Sequence, residues 1–219
     1  MTFDVTYAMH ILPTLLSAST VTFEATVLGF ILALGGGLVL ALMRVSSVRG
    51  LARLAGWYIQ GVRNTPFIIQ LFFLFYVLPD YGVRLDALTT GILGLGLHFS
   101  SFTAEVYRAG IEGVPRGQWE AAVALNLSAR RTWWRIILPQ AIVPIIPPLG
   151  NHLVGMFKDS AILATISVTE LLGAGLGEAS LSFRYLEPLS IVGGVYLVFS
   201  LAGAAATRQL ESLLARRYA

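Results

Sequence analysis

The sequence predicts an all-α integral membrane protein with about five transmembrane helices. Three observations predict it. First, 56% of the 219 residues are hydrophobic and only 12% are charged, against roughly 25% charged in soluble domains. With a mean hydropathy of +0.74, so few charges cannot cover a water-facing surface. Second, the apolar runs are continuous rather than alternating, which implies helices and not a barrel. Third, the basic residues segregate. Of the fifteen Lys and Arg residues, eleven fall after the first, third and fifth apolar runs, the bias that orients membrane helices. The net charge of +3 is small, so these residues follow topology and are not gathered for nucleic acid. The absence of Cys excludes disulfide and thiol chemistry.

A spanning helix needs roughly 20 mostly apolar residues. Ala25 to Met43, with a start that extends earlier, is the first expected span. The second lies within Asn64 to Leu78, extended backward by Leu54 to Val62 and interrupted by Arg63. The third is Ala87 to Ala104, the fourth Ile136 to Phe157 and the fifth Pro188 to Thr207. Leu51 to Tyr58 reads as a short interfacial helix, with Trp57 and Tyr58 at headgroup depth. Ser160 to Leu186 is too polar for a clean span and carries Gly173, Gly175 and Gly177. A helix, a turn and irregular backbone are expected there, near the outer surface. The charge bias places the N-terminus outside and the C-terminus in the cytoplasm. No basic residue precedes Arg44, so no cleavable signal is expected. The whole of residues 1–219 reads as a single membrane domain.

The loop of about 106–139 is the most informative stretch. Its segment Glu120 to Pro139 carries Glu120, Arg130, Arg131 and Arg135, with Arg116 just before it, between two membrane-length apolar runs. Glu120 to Leu125 is a good helix former. Asn126 sits where the chain must turn, and Asn is the next best residue after Gly for the left-handed conformation. Ser128 is placed to cap the following helix, and Pro139 loosens the start of the fourth span. On charge alone this is a solvated connector.

The spacing says more. Glu120-Ala121-Ala122, the turn at Asn126, then Ile136, Leu138 and Pro139 resemble the EAA loop of bacterial ABC importer permeases, where the turn residue is Gly. Arg63-Asn64-Thr65-Pro66 through Gln70-Leu71-Phe72-Phe73 is similar to a block of the polar amino-acid branch of that family. Ala104-Glu105 with Arg108, Ile111 and Val114 to Gln118 is similar to a second, and Lys158-Asp159-Ser160 with Glu170-Leu171 to a third. The resemblance covers about residues 18–207. Leu97-His98-Phe99, Tyr107 to Glu112, Pro115 to Trp119 and Arg184 to Pro188 look most like the ectoine/hydroxyectoine permeases within that branch.

This resemblance implies a type I ABC importer permease (MetI-like) architecture with its core over about 18–207. It implies a short helix that docks in a groove of a separate ATPase subunit through Gly117, Glu120, Ala121, Ala122, Asn126 and Leu127. It implies no cofactor on this chain, ATP and Mg being held by the ATPase. The implied partners are a second permease subunit (a heterodimer in the ectoine branch), two ATPase subunits and an extracytoplasmic solute-binding protein in the bacterial inner membrane. The implied cargo is a small zwitterion, either ectoine, hydroxyectoine or a polar amino acid.

Ionisable and polar groups at membrane depth are costly and are candidates for the translocation path. Arg63, Gln70, His98, Glu105, Asn151, Lys158 and Asp159 are those candidates. Three of them have a plainer role. Arg63 can snorkel to headgroups, His98 can make an interhelical hydrogen bond, and Glu105 can pair with Arg108 three residues on. Glu24 fits the outer interface equally well. Pro144, Pro147 and Pro148 break the backbone ladder before Asn151 and His152, and freed carbonyls there can line a cavity. The lone lysine, Lys158, follows Gly155-Met156-Phe157, so no phosphate-binding loop exists and the chain is not the ATPase. His10, His98 and His152 lack metal-ligand spacing, and no nucleophile with a matching base is apparent. The competing readings are an ion-gradient-driven amino-acid carrier, opposed by the lack of inverted halves, and a membrane enzyme or scaffold, for which no constellation speaks.

Overall fold

A computed structural model describes residues 3–218, and every regular element among them is helical. Helix α1 spans Val5–Arg44. It begins well before Ala25 because Asp4 caps it, accepting a bond from the Tyr7 amide at 3.1 Å. The polar run before Ala25 is compatible with the membrane because it satisfies itself. Ser19 and Thr20 donate to the carbonyls of Leu16 and Ser17, each at 2.7 Å.

Helices α2 (Arg49–Arg63) and α3 (Phe67–Phe72) form a bent pair. The second expected span is therefore not a straight helix extended backward through Val62. The chain turns by 109° between Arg63 and Phe67, because Pro66 has no N–H and biases Thr65 away from the helical region. That leaves α2 as a separate amphipathic helix with Trp57 78% exposed, in keeping with the interfacial reading. Beyond α3 come a wide π turn at Phe73–Val77 and a 3-10 turn at Leu78–Tyr81.

Helix α4 (Ala87–Glu112) occupies the third expected span. It packs along α1 in the most extensive helix pair of the fold. Small residues permit that approach: a Cβ on Gly37 would lie 2.6 Å from Cβ of Thr103. Its upper half joins α3 in a core built on Leu71, Leu95, Phe99, Met156 and Leu163.

After α5 (Arg116–Ala124), helix α6 (Ala129–Thr132) runs through a second π turn, Trp133–Ile137, into α7 (Leu138–Asp159). Pro144, Pro147 and Pro148 remove ladder donors, yet α7 continues unbroken through all three. The irregularity lies upstream instead, where the Leu138 amide donates to Trp133 across five residues. Pro139 explains it: the Arg135 carbonyl has no donor four residues on, and a wider turn is the remedy. Leu78-Pro79 follows the first π turn in the same way.

The segment after α7 has a 3-10 turn at Ser160–Ile166 and a left-handed residue at Ser167, φ 66°. The irregular backbone expected in this region lies there and again at Phe183, φ 56°, just past the next helix. Gly173, Gly175 and Gly177 do not interrupt the chain but lie inside α8 (Leu171–Ser182). Gly175 lets α8 sit against α9 (Leu186–Tyr218) at Val192. Among the described residues three helices are long and apolar enough to cross a membrane: α1, the run Ala129–Ile166, and α9 over Leu186–Leu214. The bent pair makes a fourth if taken as one span. At 26 residues α4 has the length, but its Thr, Ser and His content keeps it less apolar than these.

Candidate functional site

The first candidate site is the solvent-facing turn of helix between α4 and α7. Helix α5 ends as the sequence anticipates. Asn126 is left-handed, φ 51°. The amides of Leu127 and Asn126 close back on the carbonyls of Ala122 and Val123 at 3.0 and 2.9 Å, the bonding of a Schellman termination. Ser128 then caps α6, accepting from the Arg131 amide.

Only one face of α5 is held by its own chain. Ala122 is 1% exposed, and Trp119 meets Trp133 edge-on at 5.2 Å. Below them Val114, Ile137, Ala141 and Ile145 form a small core that ties the loop to α4 and α7. The other face presents Gly117, Glu120, Ala121 and Asn126 to solvent, with Leu127 half-buried. Val123 and Leu125 are 75% and 71% exposed. A Cβ on Gly117 would meet nothing within 4 Å, so nothing within this chain requires a glycine there.

The second candidate site lies at the bend between α2 and α3. Gln70 is its keystone. Its amide nitrogen donates to the carbonyls of Val62 (2.8 Å) and Thr65 (3.1 Å) and to the Thr65 hydroxyl (2.7 Å). Its oxygen faces Nδ1 of His98 at 3.0 Å. The expected interhelical hydrogen bond of His98 is thus present, and it serves the bend. His98 sits among the rings of Phe67, Phe99 and Phe102. Arg63, exposed, lays its guanidinium over Phe102 at 5.3 Å, and the far side of Phe102 meets His152.

Arg63, Phe102, Glu105 and His152 line one cavity of about 410 Å³ with Pro144 and Pro148. A neighbouring cavity of about 440 Å³ shares Arg63, Glu105 and Arg108 and adds Arg44 and Glu112. Glu105 is already paired, accepting from Arg108 at 2.7 Å. Four of the seven pathway candidates, Arg63, Gln70, His98 and Glu105, are therefore drawn to one region. Asn151, Lys158 and Asp159 are not. Asn151 and Lys158 are exposed and Asp159 half-buried. No side-chain hydrogen bond or ion pair joins them to it among the described residues. Glu24 is exposed on α1, consistent with its interfacial reading.

Two residues matter more than sequence reasoning allowed. His152 has a buried Nδ1 with no partner. Glu170 is fully buried and caps α8 through the Gly173 amide at 2.8 Å. It also accepts from Thr22 at 3.1 Å and Tyr196 at 2.6 Å. The sequence showed Glu170 at a motif position, but its partners come from α1 and α9, far away along the chain.

Comparison with known proteins bears on both sites. Residues 25–216 match the family described as binding-protein-dependent transport system inner membrane component. A probable amino-acid ABC transporter permease of Sinorhizobium fredii is 43% identical over 214 residues, 98% of this chain and 93% of its own. Another probable amino-acid ABC transporter permease, from Vibrio harveyi, is 36% identical, covering 90% of this chain and 89% of its own. The fold superposes on the crystal structure of an amino acid ABC transporter with histidines at a TM-score of 0.89. That match has 34% identity and covers 99% of this chain and all of that one. The chain therefore belongs to the binding-protein-dependent transport system inner membrane components, the multi-pass permease subunits of ABC importers.

Proposed function

We propose that this chain is one of two permease subunits forming the path for a small zwitterionic solute, driven by ATP hydrolysis on a separate ATPase. The observation that carries this is α5: a short helix seated on its own chain by Ala122 and Trp119, with Gly117, Glu120 and Ala121 left outward. A small-residue face with one carboxylate suits close docking and a charge-assisted contact. Glu120 through Leu127 hold the ATPase, and motion of the docked helix passes to α4 and α7 through the core at Ile137 and Ala141. The basic side of the chain is cytoplasmic, the N-terminus is outside, and a solute-binding protein delivers cargo there.

The solute is a polar amino acid or a compact zwitterion of similar size, ectoine or hydroxyectoine. The relatives' descriptions support the first and the blocks at Leu97-His98-Phe99 and Arg184 to Pro188 the second. Arg63, Gln70, His98 and Glu105 border the passage; Asn151, Lys158 and Asp159 line it further out. The partner permease is a different chain.

The test is to tag the chain, solubilise its native membrane gently and identify the co-purifying proteins by mass spectrometry. An ATPase and a second permease are expected; a chain that emerges alone, where other complexes survive, overturns the proposal. Uptake by the reconstituted complex, with ectoine and polar amino acids in competition, then decides the solute.

A further inference from the structure

The start of the run Ala129–Ile166 carries a feature to which the proposed function gives no role. Arg130, Arg131 and Arg135 stand together with Trp134 and Ser128 around a shallow cavity of about 520 Å³. Among the described residues the ion pairs are those of Arg108 with Glu105 and Glu112 and of Arg184 with Asp4. None of the three arginines has a carboxylate partner, and no acidic residue lines the cavity. Trp134 is 69% exposed although it is the largest kind of apolar side chain.

The position of the cluster identifies what it faces. The fourth expected span begins at Ile136. At about 1.5 Å per residue, Arg130 lies about 9 Å before it and Arg135 adjoins it. The polar layer on each side of a bilayer is about 5–8 Å deep, so Arg131, Trp134 and Arg135 occupy headgroup depth, where Trp and Arg are at home, and Arg130 stands at its outer edge. Its direction is also set. Thr132 and Ile137 are buried, and Trp133 is turned toward Trp119 of α5. The arginines and Trp134 occupy the remaining face, turned away from that seam.

We infer that Arg130, Arg131, Trp134 and Arg135 form a binding site for the phosphate headgroup of an anionic phospholipid. The guanidinium groups take the phosphate oxygens by charge-assisted hydrogen bonds, and the Trp134 ring lies against the upper acyl and glycerol region. Basic pockets beside membrane helices on the cytoplasmic side recognise such headgroups. The site rests on the orientation proposed above, but on neither the solute nor the ATPase.

The experiment uses the whole transporter in nanodiscs of phosphatidylcholine with a minor share of phosphatidylglycerol. Brominated phosphatidylglycerol and brominated phosphatidylcholine are compared as quenchers of tryptophan fluorescence, in the wild type and in Trp134→Phe. The expected result is several-fold stronger quenching by the anionic lipid in the wild type. That excess should be lost in Trp134→Phe and in Arg130→Gln/Arg131→Gln/Arg135→Gln. Equal quenching by both lipids in the wild type overturns the inference, and needs no variant to fold. Erasure of the excess by millimolar inorganic phosphate makes it a free-anion site instead. An arginine variant that sheds the ATPase while keeping the lipid preference assigns the face to that subunit and likewise overturns it.

Discussion

Tyr196 of α9 donates a 2.6 Å hydrogen bond to the carboxylate of Glu170, which is wholly buried and has no cationic partner among the described residues. Thr22 of α1 donates to the same oxygen and also accepts from the Leu171 amide at 3.0 Å. Three helices thus meet on one carboxylate. A buried acid satisfied only by hydroxyl and amide donors tolerates the loss of any one poorly, since the desolvated group keeps its cost. Tyr196→Phe and Thr22→Val are each expected to destabilise the protein by about 1–3 kcal/mol. The two effects should be non-additive in a double-mutant cycle. Thermal unfolding in detergent reads this; additive, near-zero effects would remove Glu170 as the tie between α1, α8 and α9.

Glu120→Arg reverses charge on the exposed face of α5. It is expected to abolish uptake while the protein still inserts and retains its melting temperature. Wild-type uptake in that variant would end the docking role. Ala122→Leu acts from the opposite side. Its position is 1% exposed, so a larger side chain lifts α5 from Trp133 and lowers uptake with an intact Glu120.

Asn126 holds a left-handed backbone at φ 51°. Asn126→Gly should be neutral or slightly stabilising, whereas Asn126→Ile should cost about 1–2 kcal/mol. Co-elution of the ATPase with each variant is the measurement. Equal retention for both would show that the turn does not set the pose of α5.

Gln70→Ala removes the Gln70 amide donor from the carbonyls of Val62 and Thr65 at the 109° bend, leaving Val62 with the Thr65 hydroxyl at 3.3 Å. A cost of about 0.5–1.5 kcal/mol is expected, with increased labelling of a cysteine placed at position 64. Labelling unchanged from the wild type would mean that Pro66 alone holds the bend.

At the N-terminal end of α1, Arg184 bonds the Asp4 carboxylate at 2.8 Å. That hydrogen bond, with the Tyr7 amide, lowers the Asp4 pKa from its usual 3.8. A lowered acid contributes its stabilisation above the unfolded value and loses it as pH falls through the lower native one. The clasp between α1 and α9 should therefore survive acidification to about pH 5 and open only below pH 4. Amide exchange at Val5 to Ala8 monitors it. Opening near neutral pH, or no change in Asp4→Asn, would contradict the assignment.

What the sequence made legible was local. The Asn126 turn, the Ser128 cap and the Glu105–Arg108 pair involve residues within a few positions of one another, and all three are present. The true start of α1 was obscured because Ser19 and Thr20 read as polar, while their hydroxyls are spent on their own helix. The bend at Arg63 was visible as an interruption, but its angle depends on Gln70 and on His98 from another helix. Glu170 was hidden for the same reason: nothing within ten residues announces Thr22 or Tyr196.

The two π turns bear on how the chain's faces are counted. A turn holding an extra residue sets everything after it back by about 100° relative to a regular helix. A helical wheel drawn straight from Arg130 to Ile145 therefore assigns the wrong side to Ala141 and Ile145, which the structure places in the core beneath α5. Each Leu-Pro step works as a phase slip in the screw of the backbone. It lets one continuous rod show arginine to its surroundings at one end and pack aliphatics against α4 at the other.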